Sequence, residues 1–267
     1  MFIRLLPLLV MIFFAQSSGW HSTNYIWNFG IISNCNKGVP ANPYKYFSKE
    51  QPFNPSLYNN IKSGDVVWVE TRHIQEFCKR ILPGLKVSIV LLISAGDESF
   101  PKDCPGLDIN VLLNNPFIAH IFAQNNVYRG SSSKVSSFPI GMDYHTVGYK
   151  GPNGGWGEKG TPIEQEQNLN IILRSLKPTN KRTIGAFVDF HHSDTTHAGF
   201  ERYREYGEDR KSIFSRLLPT GLIYHAGWMR RTELWRIKGN YAFSISPHGN
   251  GLDCHRTWED QIGRAHV

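Results

Sequence analysis

Residues Asp65–Ser94 read DVVWVETRHIQEFCKRILPGLKVSIVLLIS, and this pattern decides the fold class. Asp65–Glu70 is a short apolar run with the composition of a strand. Arg72–Leu82 puts apolar side chains at Ile74, Phe77, Cys78 and Ile81, the spacing of one helix face. Pro83-Gly84 stops that helix. Lys86–Ser94 is then almost continuously apolar, as a strand covered on both faces of a parallel sheet is. Strand, helix and strand make a βαβ unit, whose crossover is right-handed with few exceptions. The chain is therefore expected to be α/β.

Outward from this unit, polar loops follow successive apolar strands. Thr71-Arg72-His73 follows the first and Ala95–Pro101 the second. Ala123-Gln124-Asn125 follows Ile118–Phe122, and Pro139–Thr146 follows Val135–Phe138. Open α/β sheets hold their ligands at such strand ends. Asp97, Glu98, Asp143 and His145 lie in these loops as candidate catalytic bases. Gly148–Gly160 has six glycines in thirteen positions and reads as a flexible stretch. A helix follows over Ile163–Leu176, with Pro162 near its first position. The domain boundary is expected between 150 and 180. A second half then starts with a strand over Thr183–Asp189 and helices over Lys211–Leu218 and Met229–Ile237. The basic residues of the last helix, Arg230 and Arg231, read as solvated.

Phe243–Glu259, FSISPHGNGLDCHRTWE, closes the readable pattern. The strand Tyr241–Ile245 is broken by Pro247, Gly249 and Gly251, and Leu252–Glu259 reads as a helix start. Strand, glycine turn and helix N-terminus form an anion site. His255 and Arg256 lie four and three residues before Glu259 and share its helix face. A cation beside a carboxylate over such a turn suits a nucleotide, with phosphates on Arg and ribose hydroxyls on Glu.

SPHGNGLDCHRTWE resembles the donor-site segment of exostosin-like glycosyltransferases. The resemblance covers Lys181–Glu259 well and the N-terminal half loosely. It implies a GT-B-like architecture of two Rossmann-like domains around a cleft, the second incomplete. Residues 1–19 are then a targeting segment, 20–150 the acceptor-side domain, 151–180 a linker and helix, and 181–267 the nucleotide-sugar-binding domain. It implies transfer of a sugar from a nucleotide-sugar to a glycan or small-molecule acceptor. The donor set comprises Ser246, His248, Gly249, Asn250, Gly251, Asp253, His255, Arg256 and Glu259. Arg182, before a strand, and Arg210, opening a helix, match positions that face the diphosphate in that family. Asp97, Asp143 and His145 are the catalytic candidates. In the family the segment continues into small residues and an Ile-Pro-Val strand. Here it ends in IGRAHV, which resembles a translated sequencing adapter, so residues 262–267 carry no weight.

Composition sets the remaining expectations. The net charge of +7, with 40% hydrophobic and 19% charged residues, suits an anionic small ligand. No basic–aromatic stripe points to nucleic acid. Arg4 and the apolar run Leu5–Ala15, followed by Gln16-Ser17, read as a signal peptide or signal-anchor. The secretory pathway, in a Golgi-like lumen or membrane or exported, is the expected location, with a cytoplasmic one left open. The four cysteines lack metal-ligand spacing. Asp189, His191, His192, Asp194 and His197 could hold a metal, but a sugar- or phosphate-binding loop is the preferred reading, with no cofactor beyond the nucleotide-sugar co-substrate. A metal-dependent phosphoesterase and a secreted, non-catalytic glycan-binding protein are the alternatives.

Overall fold

The computed structural model describes residues 23–41, 51–144, 160–190, 210–225, 227 and 229–262. Residues 1–19, expected to be a targeting segment, His145, most of the glycine-rich stretch and residues 191–197 lie outside those residues. The chain forms two compact units, the first ending at Ile140 and the second beginning at Gly141. Both are α/β with parallel sheets, compatible with a Rossmann-like fold. Among the described residues, no helix is long and apolar enough to cross a membrane.

In the first unit, short helix α1 (Asn28–Ile32) precedes β1 (Val66–Glu70), α2 (Ile74–Arg80), β2 (Ile89–Ser94), α3 (Ile109–Leu113), β3 (Ile118–Ala123) and β4 (Val135–Ser137). The sheet order is β1-β2-β3-β4, parallel throughout. Strand side chains alternate between faces. Val67, Val69, Leu91, Ile93 and Ile121 pack in one core with Ile74 and Phe77 of α2 and Leu112 of α3. Helix α2 is shorter than the periodicity predicts. A 3-10 turn takes Thr71–His73 before it, and another, holding Pro83, takes Leu82–Gly84 after it. Proline has no N–H to continue an α-helical ladder. Strand β2 likewise begins at Ile89 rather than Lys86.

The second unit runs α4 (Pro162–Ser175), β5 (Thr183–Val188), α5 (Arg210–Leu217), β6 (Ile223–His225), α6 (Arg231–Lys238), β7 (Tyr241–Ser244) and α7 (His255–Ile262). Thr161 and Glu164 cap α4 reciprocally and Pro162 opens it. The parallel sheet has the order β6-β5-β7. The chain leaves β5 to one side, then returns across it to the other. The carboxyl ends of β5 and β7 therefore flank a topological switch point.

Gly141–Tyr144 belongs to this unit, and its bonds explain why the division falls ahead of 150–180. Gln165 Nε2 donates to Tyr144 O at 2.9 Å, and Tyr144 Oη to Glu166 Oε2 at 3.3 Å. Arg231 Nη1 donates to Asp143 O at 2.5 Å and His255 Nδ1 to Gly141 O at 2.7 Å. A carbonyl only accepts, so that His255 nitrogen carries the proton.

Candidate functional site

At the switch point of the second unit, Asp189-Phe190 follows β5, and β7 leads into the turn Ile245–Cys254 and then α7. Asp189 is the centre of a buried ionic network. Its Oδ2 lies 2.6 Å from Lys238 Nζ, and its Oδ1 meets Arg256 Nε. Lys238 Nζ also donates to Asp260 Oδ1 at 2.6 Å, and Ser244 Oγ to Asp260 Oδ2 at 2.6 Å. Burial alone would raise the Asp189 carboxyl, but Lys238 and Arg256 outweigh it and hold the group low. Burial opposes charge on Lys238, but Asp260, Asp189 and Glu259 hold its ammonium high.

Glu259 is buried in a second cluster. Its Oε1 pairs with Arg231 Nη2, and its Oε2 accepts Trp235 Nε1 at 3.0 Å. The Arg231 guanidinium stacks 4.4 Å from the Trp235 ring centroid and donates to Gln165 Oε1 at 3.0 Å. Arg231 is 2% exposed, which corrects its reading as solvated, whereas Arg230 just before the helix is exposed as expected. Positions 231, 234, 235 and 238 follow i, i+3, i+4, i+7, the spacing of a buried helix face. That spacing was the available signal for Arg231 and Lys238.

The glycine turn lies beside a pair of guanidiniums. Arg210, at the start of α5, and Arg256, on α7, lie 5.8 and 6.0 Å from the Phe190 ring centroid. Arg210 Nε donates to His248 O at 3.0 Å. Gly249 is buried against this side chain: a β-carbon there would stand 2.8 Å from Arg210 Nη2 and 3.3 Å from Cys254 Sγ. Only glycine leaves the guanidinium this close to the backbone. Burial raises the Cys254 thiol, although Arg256 and Arg210 pull it the other way. That agrees with a packing role over a reactive thiolate. Ser246 Oγ bonds Thr257 Oγ1 at 2.8 Å, and Asp253 Oδ1 accepts Trp258 Nε1 at 2.8 Å, tying the turn to α7.

The structure thus brings together Arg210, Ser246, His248, Gly249, Asn250, Gly251, Asp253, His255 and Arg256 around one turn and one helix start. The helix begins at His255 rather than Leu252. Glu259 lies on the same helix but is buried. Arg182 is not brought to this turn. It precedes β5, with the whole strand between it and Asp189, on the order of 20 Å at the rise of a strand, and its Nε donates to Lys177 O at 2.9 Å. Asp143 is buried in the second unit, and Asp97 is exposed after β2 in the first. Of the five residues weighed above as metal ligands, Asp189 is the one among the described residues, and its oxygens face Lys238 and Arg256. Among the described residues no group of three or more His, Cys, Asp or Glu is placed to hold a metal.

Compared with family models, curated proteins and solved structures, the chain shows no match in any of the three.

Proposed function

We propose that the second unit binds the nucleoside diphosphate of a sugar donor at the Gly249 turn, and that the protein is a GT-B-like glycosyltransferase. The observation that carries this reading is the convergence of Arg210 and Arg256 on Phe190, beside a buried glycine at the switch point of a parallel sheet. Guanidinium groups bind phosphate oxygens through charge-assisted, often bidentate hydrogen bonds. The N-terminal end of α7 adds a favourable dipole for the same anion.

In transfer, an acceptor hydroxyl oxygen forms a bond to the sugar's anomeric carbon as the bond from that carbon to the diphosphate breaks. The diphosphate leaves with the electron pair, and Arg210 and Arg256 offset the developing charge. The acceptor's proton goes to a base, for which Asp97, Asp143 and His145 are the candidates. Glu259, with both oxygens already engaged, enters the proposal as the residue that seats α7 and so positions Arg256.

Calorimetric titration of the intact chain with UDP and with GDP tests the reading. Saturable, one-to-one binding of at least one of them supports it. Absence of binding of either at millimolar concentration contradicts it.

A further inference from the structure

We infer that Cys78 and Cys104 of the first unit pair as a structural disulfide when the chain meets a disulfide donor, fastening the loop after β2 to helix α2. Both are thiols in this structure, and the fold brings them to one place from different elements. The pairing is independent of the function proposed above.

Cys104 sits in a tightly wound loop at 99–107. Asp103 N donates to Ser99 O at 2.7 Å, Cys104 N to Pro101 O at 3.2 Å, and Leu107 N to Cys104 O at 3.1 Å. This winding leaves Cys104 only 5% exposed. It belongs to the same core cluster as Ile74 and Phe77 of α2, and Cys78 packs against that cluster from the helix. Gly106 marks where loop and helix meet. It has a φ of 70°, and a β-carbon there would run into Gln75 Nε2. Gln75 and Cys78 are three residues apart and share one face of α2, while Cys104 lies two residues before Gly106. The loop therefore lies along that face, with one cysteine on each side of the contact. Burial pushes the Cys104 thiol up to about 12, and Glu98, Asp103 and the sulfur of Cys78 each add to the rise.

Burial also pushes the Cys78 thiol up to about 11. The thiolate is the attacking form, so both sulfurs react slowly once packed, and the bond is made as the chain folds. Cys78, half-buried where Cys104 is buried, is the first to react. Its thiolate attacks one sulfur of a low-molecular disulfide such as oxidised glutathione and displaces one glutathione thiolate. The Cys104 thiolate then attacks the Cys78 sulfur of that mixed disulfide and displaces the second. The protein loses two protons and two electrons, and the donor disulfide takes them up as two thiols. The same burial then shields the finished bond from reduction.

The test uses the intact chain with oxidised glutathione along two routes. In one it is refolded from urea; in the other it stays folded at about pH 9, where thiolate is about a hundredfold commoner than at pH 7. Remaining thiols are alkylated in urea, and tryptic peptides are mapped without reduction. Peptides 73–79 and 103–129 should be recovered joined by one disulfide from at least one route, with Cys35 and Cys254 alkylated. The joined chain should melt about 5 °C or more above the reduced one, because the bond restricts the unfolded chain. Cys104→Ser should melt at one temperature with or without oxidant. The inference is overturned if neither route joins the two peptides, or if Cys78 ends only as its glutathione adduct. Pairing of either cysteine with Cys35 or Cys254 overturns it as well. So does a joined chain that melts no higher than the reduced one, because the bond would then not fit the native packing.

Discussion

Arg256 and Glu259, three residues apart on α7, each pair with a different buried partner: Arg256 closes on Asp189 and Glu259 on Arg231. Neighbours on a helix face could have formed a solvated pair worth a few tenths of a kcal/mol. Instead they tie α7 to the end of β5 and to α6. The cation of the proposed donor site is therefore also part of the second unit's interior.

That arrangement makes the network costly to break from one side. Lys238→Met removes the cation between Asp189 and Asp260 and leaves buried carboxylate without its partner. The expected loss is about 3–5 kcal/mol, the usual cost of orphaning one member of a buried ion pair. Urea denaturation of the variant and parent measures it. A loss below about 1 kcal/mol would mean the network is solvated in the folded protein.

The pH dependence follows from the same residues. Asp189 titrates below its ordinary value of 3.8, because Lys238 and Arg256 overcome the upward push of burial. A folded value below the unfolded one gives stability that is present above pH 3.8 and lost as the pH falls through the folded value. Lys238 is shifted upward from 10.5, so its contribution is present below pH 10.5 and lost as the pH rises through the folded value. Melting temperature against pH should fall below about pH 3.8, and Asp189→Asn should flatten that acid limb relative to the parent. An equally steep limb in the variant would assign the acid loss to other groups.

Cys254 tests the environment of the turn. Burial raises its thiol despite the two nearby guanidiniums, so iodoacetamide at neutral pH should alkylate it more slowly in the folded protein than in urea. Mass spectrometry of the peptide containing Cys254 gives both rates. Faster labelling in the folded state would mean that the arginines, not burial, set its reactivity.

How far the sequence anticipates these features depends on the range of the interaction. The βαβ unit at Asp65–Ser94 is readable because strand and helix periods are local. The helix boundaries move by a few residues where 3-10 turns and Pro83 intervene. The Gly249 turn and Arg256 are readable because their chemistry is compact in sequence. The partners of Asp189 are not, since Arg256 is 67 positions away and no periodicity reports such a pairing. Arg231 looks solvated because most cations are; only its spacing with Leu234, Trp235 and Lys238 reveals the buried face.

Gly249 separates a binding role from a structural one. An added methyl would press on Arg210 Nη2 at 2.8 Å and on Cys254 Sγ at 3.3 Å. The arginine end is flexible and can move aside, so Gly249→Ala should lose more UDP or GDP affinity than stability. Calorimetry and thermal melting of the same variant compare the two. A large drop in melting temperature with affinity intact would make the glycine purely structural.

The central claim is that the Gly249 turn binds diphosphate, and Arg210 tests it more cleanly than Arg256 because Arg256 also neutralises Asp189. The measurement is the affinity of parent and Arg210→Ala for UDP or GDP, whichever binds, and for the matching nucleoside without phosphates. Loss of a charge-assisted bond to phosphate should weaken the diphosphate by about 1.5–3 kcal/mol, roughly tenfold or more, while nucleoside affinity stays at the parent's value. Equal diphosphate affinity in the folded variant, or equal losses for diphosphate and nucleoside, would contradict the account.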